Sequence, residues 1–167
     1  MLEIFETKPE KFNCDLQVAA CYLEVKGRIL LLKRKSHKSD PGLWGLPAGK
    51  FEKNETPLQA ALRELSEETG VVLDSSQITP FDVLYIRRTG EYVYHMFSAR
   101  LLEFPKIRLC EEHEEAHWVL LDHVESMPLI PGGKEAFRKY LKHREETRSD
   151  LKNWFSANAQ TLASEPY

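Results

Sequence analysis

One stretch constrains this chain more than any other: GKFEKNETPLQAALRELSEETGV, from Gly49 to Val71. Its second half carries its own helix boundaries. Thr56 is a natural N-cap, Pro57 suits the first helical position, and Gln59 can close a capping box with Thr56. Gly70 stands where a left-handed C-terminal residue belongs. Leu58, Ala61, Leu62, Leu65 and Thr69 fall on one helical stripe, which is expected to face a core. Glu64, Glu67 and Glu68 are expected on the opposite side, with Arg63 beside them. Like charges at that spacing repel, on the order of 2–3 kcal/mol per pair at an effective dielectric of ~20. Arg63 can offset one of the three, most simply Glu67 at i+4, which leaves Glu64 and Glu68 as an unpaired acid pair. That geometry makes sense if a divalent cation sits between them, because Mg²⁺ takes oxygen ligands from a few carboxylates together with substrate phosphates.

The flanking sequence reads as a mixture of strands and helices. LQVAACYLEV and GRILLLKR are two apolar runs around Lys26-Gly27, the pattern of a β-hairpin. KSHKSDPG is a polar loop, and LWGLPAG a short apolar piece ending in Pro and Gly. FDVLYIRRTGEYVYHMFSARLLEF predicts a second hairpin turning near Thr89-Gly90; HWVLLD predicts another strand and GGKEAFRKYLKHRE a helix. The resulting order β-β-β-α-β-β-β-α lacks a regular β-α alternation. It predicts an α+β or layered α/β/α sandwich rather than a doubly wound sheet.

Composition narrows the class further. The chain has 167 residues, 42% hydrophobic and 29% charged, as expected for one soluble domain. A net charge of −3 argues against bulk attraction to nucleic acid or to an anionic membrane, and leaves room for a local phosphate site. The N-terminal MLEIFETKPEKF has neither the basic end nor the apolar core of a signal peptide, and no apolar run has the length of a membrane span. Cys14, Cys21 and Cys110 are widely spaced and form no Cys-x-x-Cys pair, so they are expected to be reduced thiols in a cytoplasmic protein.

The acidic helix does not stand alone. Gly49, Glu55, Arg63-Glu64-Leu65, Glu67-Glu68 and Gly70-Val71 have the spacing of the Nudix box at every fixed position, and the chain resembles the Nudix hydrolase family. LLLKR, DPGLWGLPAGKFE and EEHEEAHWVLLD resemble its flanking segments, so the resemblance covers roughly Val18 to Tyr140. It implies a small sandwich around a mixed β-sheet, and Mg²⁺- or Mn²⁺-dependent hydrolysis of a nucleoside diphosphate linked to another group. By the same resemblance Glu64, Glu67 and Glu68 are the acids that bind metal and handle the attacking water, and Arg63 orients them. Gly49 is the loop glycine that approaches metal or phosphate, and Glu55 is a loop acid of either structural or catalytic use. Glu112 or Glu115 supplies a further metal-side carboxylate or the general base, with Glu112 the better fit. Arg34, at the end of a strand, is a candidate for a substrate phosphate.

The substrate is less constrained. LPAG at Leu46–Gly49 is similar to members that cleave ADP-ribose, but Tyr85 and Ile86 replace the proline such members carry after the box. A tyrosine near that place is similar to dinucleoside polyphosphate hydrolases. GLWGLP is similar to enzymes of nucleoside triphosphates, including oxidised ones. The expectation is a nucleoside triphosphate or related nucleotide, with ADP-ribose, a dinucleoside polyphosphate, or a non-catalytic nucleotide-binding module as alternatives. Trp44, Phe51, Tyr85, Tyr92 and Tyr94 are candidates to stack on a base, against the commoner role of core or cross-strand aromatics. A competing motif is His113-Glu114-x-x-His117, which on a helix would hold zinc in a peptidase. It runs straight into a predicted strand, which argues against that reading. Residues 1–147 are expected to form the catalytic domain and 148–167 a C-terminal extension, either a helical turn or tail or a homodimer contact.

Overall fold

The computed structural model describes residues 1–14 and 16–162. The strands are β1 (Glu3–Phe5), β2 (Gln17–Val25), β3 (Arg28–Arg34), β4 (Trp44–Gly45), β5 (Ala48–Lys50), β6 (Thr79–Arg87), β7 (Glu91–Leu101) and β8 (His113–Leu120). The helices are α1 (Pro57–Thr69) and α2 (Gly133–Leu162), with a 3-10 turn at Leu121–Ser126. The sheet order is β1-β6-β7-β2-β3-β4, with β5 paired to β2 and β8 to β3. β2 and β7 run parallel from Gln17↔Val93 to Val25↔Leu101, and the other pairings are antiparallel. The sheet is therefore mixed, as expected. β1 was not foreseen; three residues give too little alternation to read, and the strand exists by pairing Glu3–Phe5 with Tyr85–Arg87.

Local rules explain the turns and caps. Lys26 and Gly27 both have positive φ, 49° and 74°, which matches the twist of a two-residue hairpin. Thr56 caps α1 in a complete capping box with Gln59, and Gly70 closes it at φ 75°. The parity of the strands then sorts the core into two layers. Ala19, Cys21, Leu23, Leu30, Leu32, Phe97 and Ala99 face Ala61 and Leu65 of α1. Tyr22, Ile29, Leu31, Leu84, Ile86 and Met96 face Phe137 and Tyr140 of α2. β2 is buried on both faces from Ala19 to Val25, so its apolar run from Ala19 to Leu23 carries no alternation.

α2 is one helix of 30 residues. The helical turn expected around Leu151–Phe155 is its continuation, and residues 163–167 lie outside the described part. Tyr140 stacks on Tyr22 with centroids 4.4 Å apart. The Tyr140 hydroxyl donates to Glu24, and Arg144 grips the same carboxylate through Nε at 2.9 Å and Nη2 at 3.0 Å. Glu24 is buried, and this pairing with Arg144 and Tyr140 keeps its carboxyl below the usual range against the opposing effect of burial. No helix among the described residues is long and apolar enough to cross a membrane.

Glu24→Ala strands Arg144 and Tyr140 without their acceptor, and is expected to destabilise the fold by about 2–3 kcal/mol. Glu103→Ala removes an exposed pair with Lys26 and should shift stability by less than about 0.5 kcal/mol. Urea midpoints of the two variants measure the contrast.

Candidate active site

The site is assembled around Arg63. All five of its N–H donors are used. Nε donates to Glu55 Oε1 at 2.7 Å, and Nη1 to Glu64 Oε1 at 2.7 Å and to Glu67 Oε2 at 3.0 Å. Nη2 donates to Glu55 Oε2 at 3.0 Å and to the Lys50 carbonyl at 2.9 Å. Arg63 was expected to offset one carboxylate, and it serves three. Glu55 also accepts from the Glu52 amide at 2.8 Å. Its geometry is that of a brace between loop and helix, and the Arg63 bonds hold its carboxyl below the usual range.

The three helix glutamates do not share a solvent face. Glu67 stays out, with 59% of its side chain exposed. Glu64 is turned toward β5 and packs so closely on Gly49 that a Cβ there would fall inside its carboxylate. Glu68 is 4% exposed and reaches the Ala48 amide at 2.8 Å through Oε2. The expected outward direction of Glu68 is thus corrected. On a helix it lies only about 20° from Ala61, and the short β5 gives it a backbone donor to turn toward.

Burial is the main cause that raises Glu68, to about 8, with the charges of Glu64 and Glu112 adding to it. Glu64 is also raised, again by burial, in spite of its bond to Arg63. Two desolvated carboxyls side by side, both held above their ordinary range, form an oxygen-only donor set that suits a hard divalent cation. Among the described residues, no group of three His, Cys, Asp or Glu side chains is gathered to hold an ion unaided. A cation here would therefore share its coordination with water and substrate oxygen, as Mg²⁺ commonly does.

Outside α1 the candidates separate. Glu112 lies just before β8 and pairs with Lys38 at 2.7 Å; that bond lowers its pKa. Its charge is felt at Glu64 and Glu68. Glu115 pairs with Lys33 at 2.7 Å. It shares the register of Lys33, on the α2 side of the sheet, away from α1. Arg34 bonds the Ser39 carbonyl at 2.6 Å, and its charge works to lower Glu68. Among the aromatics, Trp44 is buried against His117, Phe51 packs on His95, and Tyr85 meets Phe12 edge-on. The cavity bounded by Tyr22, Trp44, Leu46 and Tyr94 is about 20 Å³, room for a water and not for a base.

The zinc motif is dismantled by a β-bulge. Arg34 pairs with His113 and Lys33 with Glu115, so Glu114 is the extra residue. The bulge puts His113 and His117 on opposite faces. His113 is buried, with Nε2 3.9 Å from Glu68 Oε1 and Nδ1 3.6 Å from Cys110 Sγ, and burial drops its pKa to about 4. His117 packs against Trp44, with ring centroids 4.6 Å apart and the planes tilted by 37°. His113 is thus a neighbour of the acid cluster that the sequence signalled only through the wrong motif.

A family model described as the NUDIX domain matches residues 15–142. The chain belongs to the Nudix hydrolase family. This Nudix chain is 25% identical over 135 residues to the CTP pyrophosphohydrolase of Escherichia coli K12, covering 81% of the chain and 98% of that protein. Its fold is similar to that of a MutT NUDIX hydrolase from Burkholderia pseudomallei, with TM-score 0.65, 29% identity, and coverage of 74% and 95% of the two chains. The NUDIX domain of Shewanella oneidensis NrtR, solved with ADP ribose, shares the fold at TM-score 0.68 and 23% identity, over 82% of this chain and 93% of that one.

A carboxyl held near 8 in the fold and about 4.3 in the unfolded chain stabilises the fold fully below the unfolded value. That contribution is lost as pH rises through the folded value. His113, lowered to about 4, has given its full effect by about pH 6.5. In EDTA, the metal-free protein should therefore lose about 2 kcal/mol of stability between about pH 6.5 and 8. Glu68→Gln should flatten that slope, as read from chemical denaturation at each pH.

Proposed function

We propose that this Nudix hydrolase is a Mg²⁺- or Mn²⁺-dependent pyrophosphohydrolase of a nucleoside triphosphate. The observation that carries the reading is the buried Glu68 carboxyl, raised to about 8 beside a second raised carboxyl, Glu64. Such a pair is unfavourable as two anions until positive charge arrives. A divalent cation held by Glu64 and Glu68 would supply that charge and offset the charge that builds on substrate phosphates. Arg63, anchored by Glu55 and the Lys50 carbonyl, keeps Glu64 and Glu67 in place, while the Ala48 amide holds Glu68. Gly49 admits the Glu64 carboxylate, because a side chain at that position would fall inside it. Attack by water on phosphorus releases one proton; the exposed Glu67 would accept it, with Glu112 adding its charge on the metal side. The water oxygen bonds phosphorus, the bridging oxygen leaves, and the products are a nucleotide and a phosphate fragment.

The triphosphate preference follows the match along nearly the full length of the CTP pyrophosphohydrolase and the GLWGLP segment. Purified protein with Mg²⁺ should release pyrophosphate from one or more nucleoside triphosphates in a panel that includes oxidised dNTPs, ADP-ribose and dinucleoside polyphosphates. Glu68→Gln should lower kcat by at least about a hundredfold, while His117→Ala should stay within about twofold. Preference for ADP-ribose would overturn the substrate, and loss of activity in His117→Ala would overturn the mechanism.

A further inference from the structure

The loop joining β3 to β4, residues 35–43, is fastened at several points. Arg34 bonds Ser39 through its carbonyl at 2.6 Å and its Oγ at 3.0 Å. Arg88, at the tip of the β6–β7 hairpin, holds both Asp40 oxygens at 2.8 Å, a two-pronged pair that fixes direction as well as distance. The Lys35 amide donates to the Glu112 carbonyl at 3.0 Å. These ties fix the backbone without help from Lys38. The Lys38 ammonium takes no part in those ties; it pairs with Glu112 Oε2 at 2.7 Å. Glu112 is next in the chain to His113, whose Nε2 lies 3.9 Å from Glu68 Oε1, so the pair stands at the edge of the acid cluster.

We propose that Lys38 is a placeholder cation: it neutralises Glu112 in the metal-free protein and transfers to a phosphate oxygen of the nucleotide once a divalent cation engages Glu112. The inference rests on the reading of Glu112 as a metal-side acid. A lysine suits both partners, because its ammonium is a compact charge on a flexible stem with three rotatable donors. The pair is partly exposed, 27% at Lys38 and 48% at Glu112, so it is weak enough to be exchanged. Because Arg34 and Arg88 hold the loop, the exchange needs a change of side-chain rotamer and no loop opening. Lys38 then works in two opposite senses: it competes with the metal in the empty site and recruits the phosphate in the filled one.

The two senses give effects of opposite sign in one variant. Mn²⁺ alone is titrated into the full chain by the loss of its free-ion EPR signal. An α,β-methylene nucleoside triphosphate is then titrated into the Mn²⁺-loaded protein by calorimetry. Lys38→Met is expected to tighten Mn²⁺ about two- to fivefold and to weaken the analogue about tenfold. In turnover KM should rise with kcat within about threefold. Lys38→Arg should restore both affinities to within about twofold of wild type. Unchanged or weaker Mn²⁺ binding in Lys38→Met, with the wild type binding normally, overturns this inference alone. A wild type that binds no Mn²⁺ overturns the metal site itself, and this inference with it.

Discussion

The Arg63 guanidinium is the interaction on which the rest of the site depends. It binds a loop acid, two helix acids and the carbonyl at the end of β5 at once. The bonds to Glu55 and to the Lys50 carbonyl join the helix to the loop and strand that precede it. α1 is set against the sheet by Ala61 and Leu65, but that packing does not say where the preceding loop lies. Arg63 does, by drawing Glu55 and the Lys50 carbonyl to the first turns of the helix. It also makes a cluster of carboxylates tolerable in the apo fold. Take the cation away and Glu55, Glu64 and Glu67 become like charges within a few ångströms, with only Glu67 well exposed to water.

The compensation is deliberately incomplete in its effect, and the incompleteness is where the chemistry lies. Arg63 reaches Glu64 and Glu67 and does not reach Glu68. Glu68 has the Ala48 amide, a dipole rather than a charge, and is left in a nearly dry place. One helix turn thus holds acids of different character: Glu67 in water, Glu64 half satisfied by arginine, and Glu68 short of positive charge. Environment separates them, as it separates acid from base in other active sites. The same logic extends to Glu112, whose charge is met by a flexible lysine that can leave.

Much of this was legible in the sequence because it is local. Thr56, Pro57, Gln59 and Gly70 define α1 through short-range rules, and Lys26-Gly27 and Thr89-Gly90 mark the hairpins the same way. The spacing from Gly49 to Val71 marked the acids and Arg63 together. What was not legible depends on partners far along the chain. β1 exists only against β6. Glu68 lies on the border of the apolar stripe, and a backbone amide from β5 decides that it turns inward. The bulge at Glu114 reverses strand parity, which sends His113 to the acids and Glu115 away from them; nothing in the letters HEEAH encodes it. Lys38 and Arg88 gain meaning only once the loop at residues 35–43 is seen to lie between Glu112 and the β6–β7 turn.

The central claim is that the buried acid pair of α1 is built to receive a divalent cation. A crystal soaked in Mn²⁺ tests it most directly, through the anomalous signal of the metal. A peak is expected between the Glu64 and Glu68 carboxylates, and none in Glu68→Gln crystals. A peak at His113 or His117, or wild-type crystals with the site open to solvent and no peak at the acids, would contradict it.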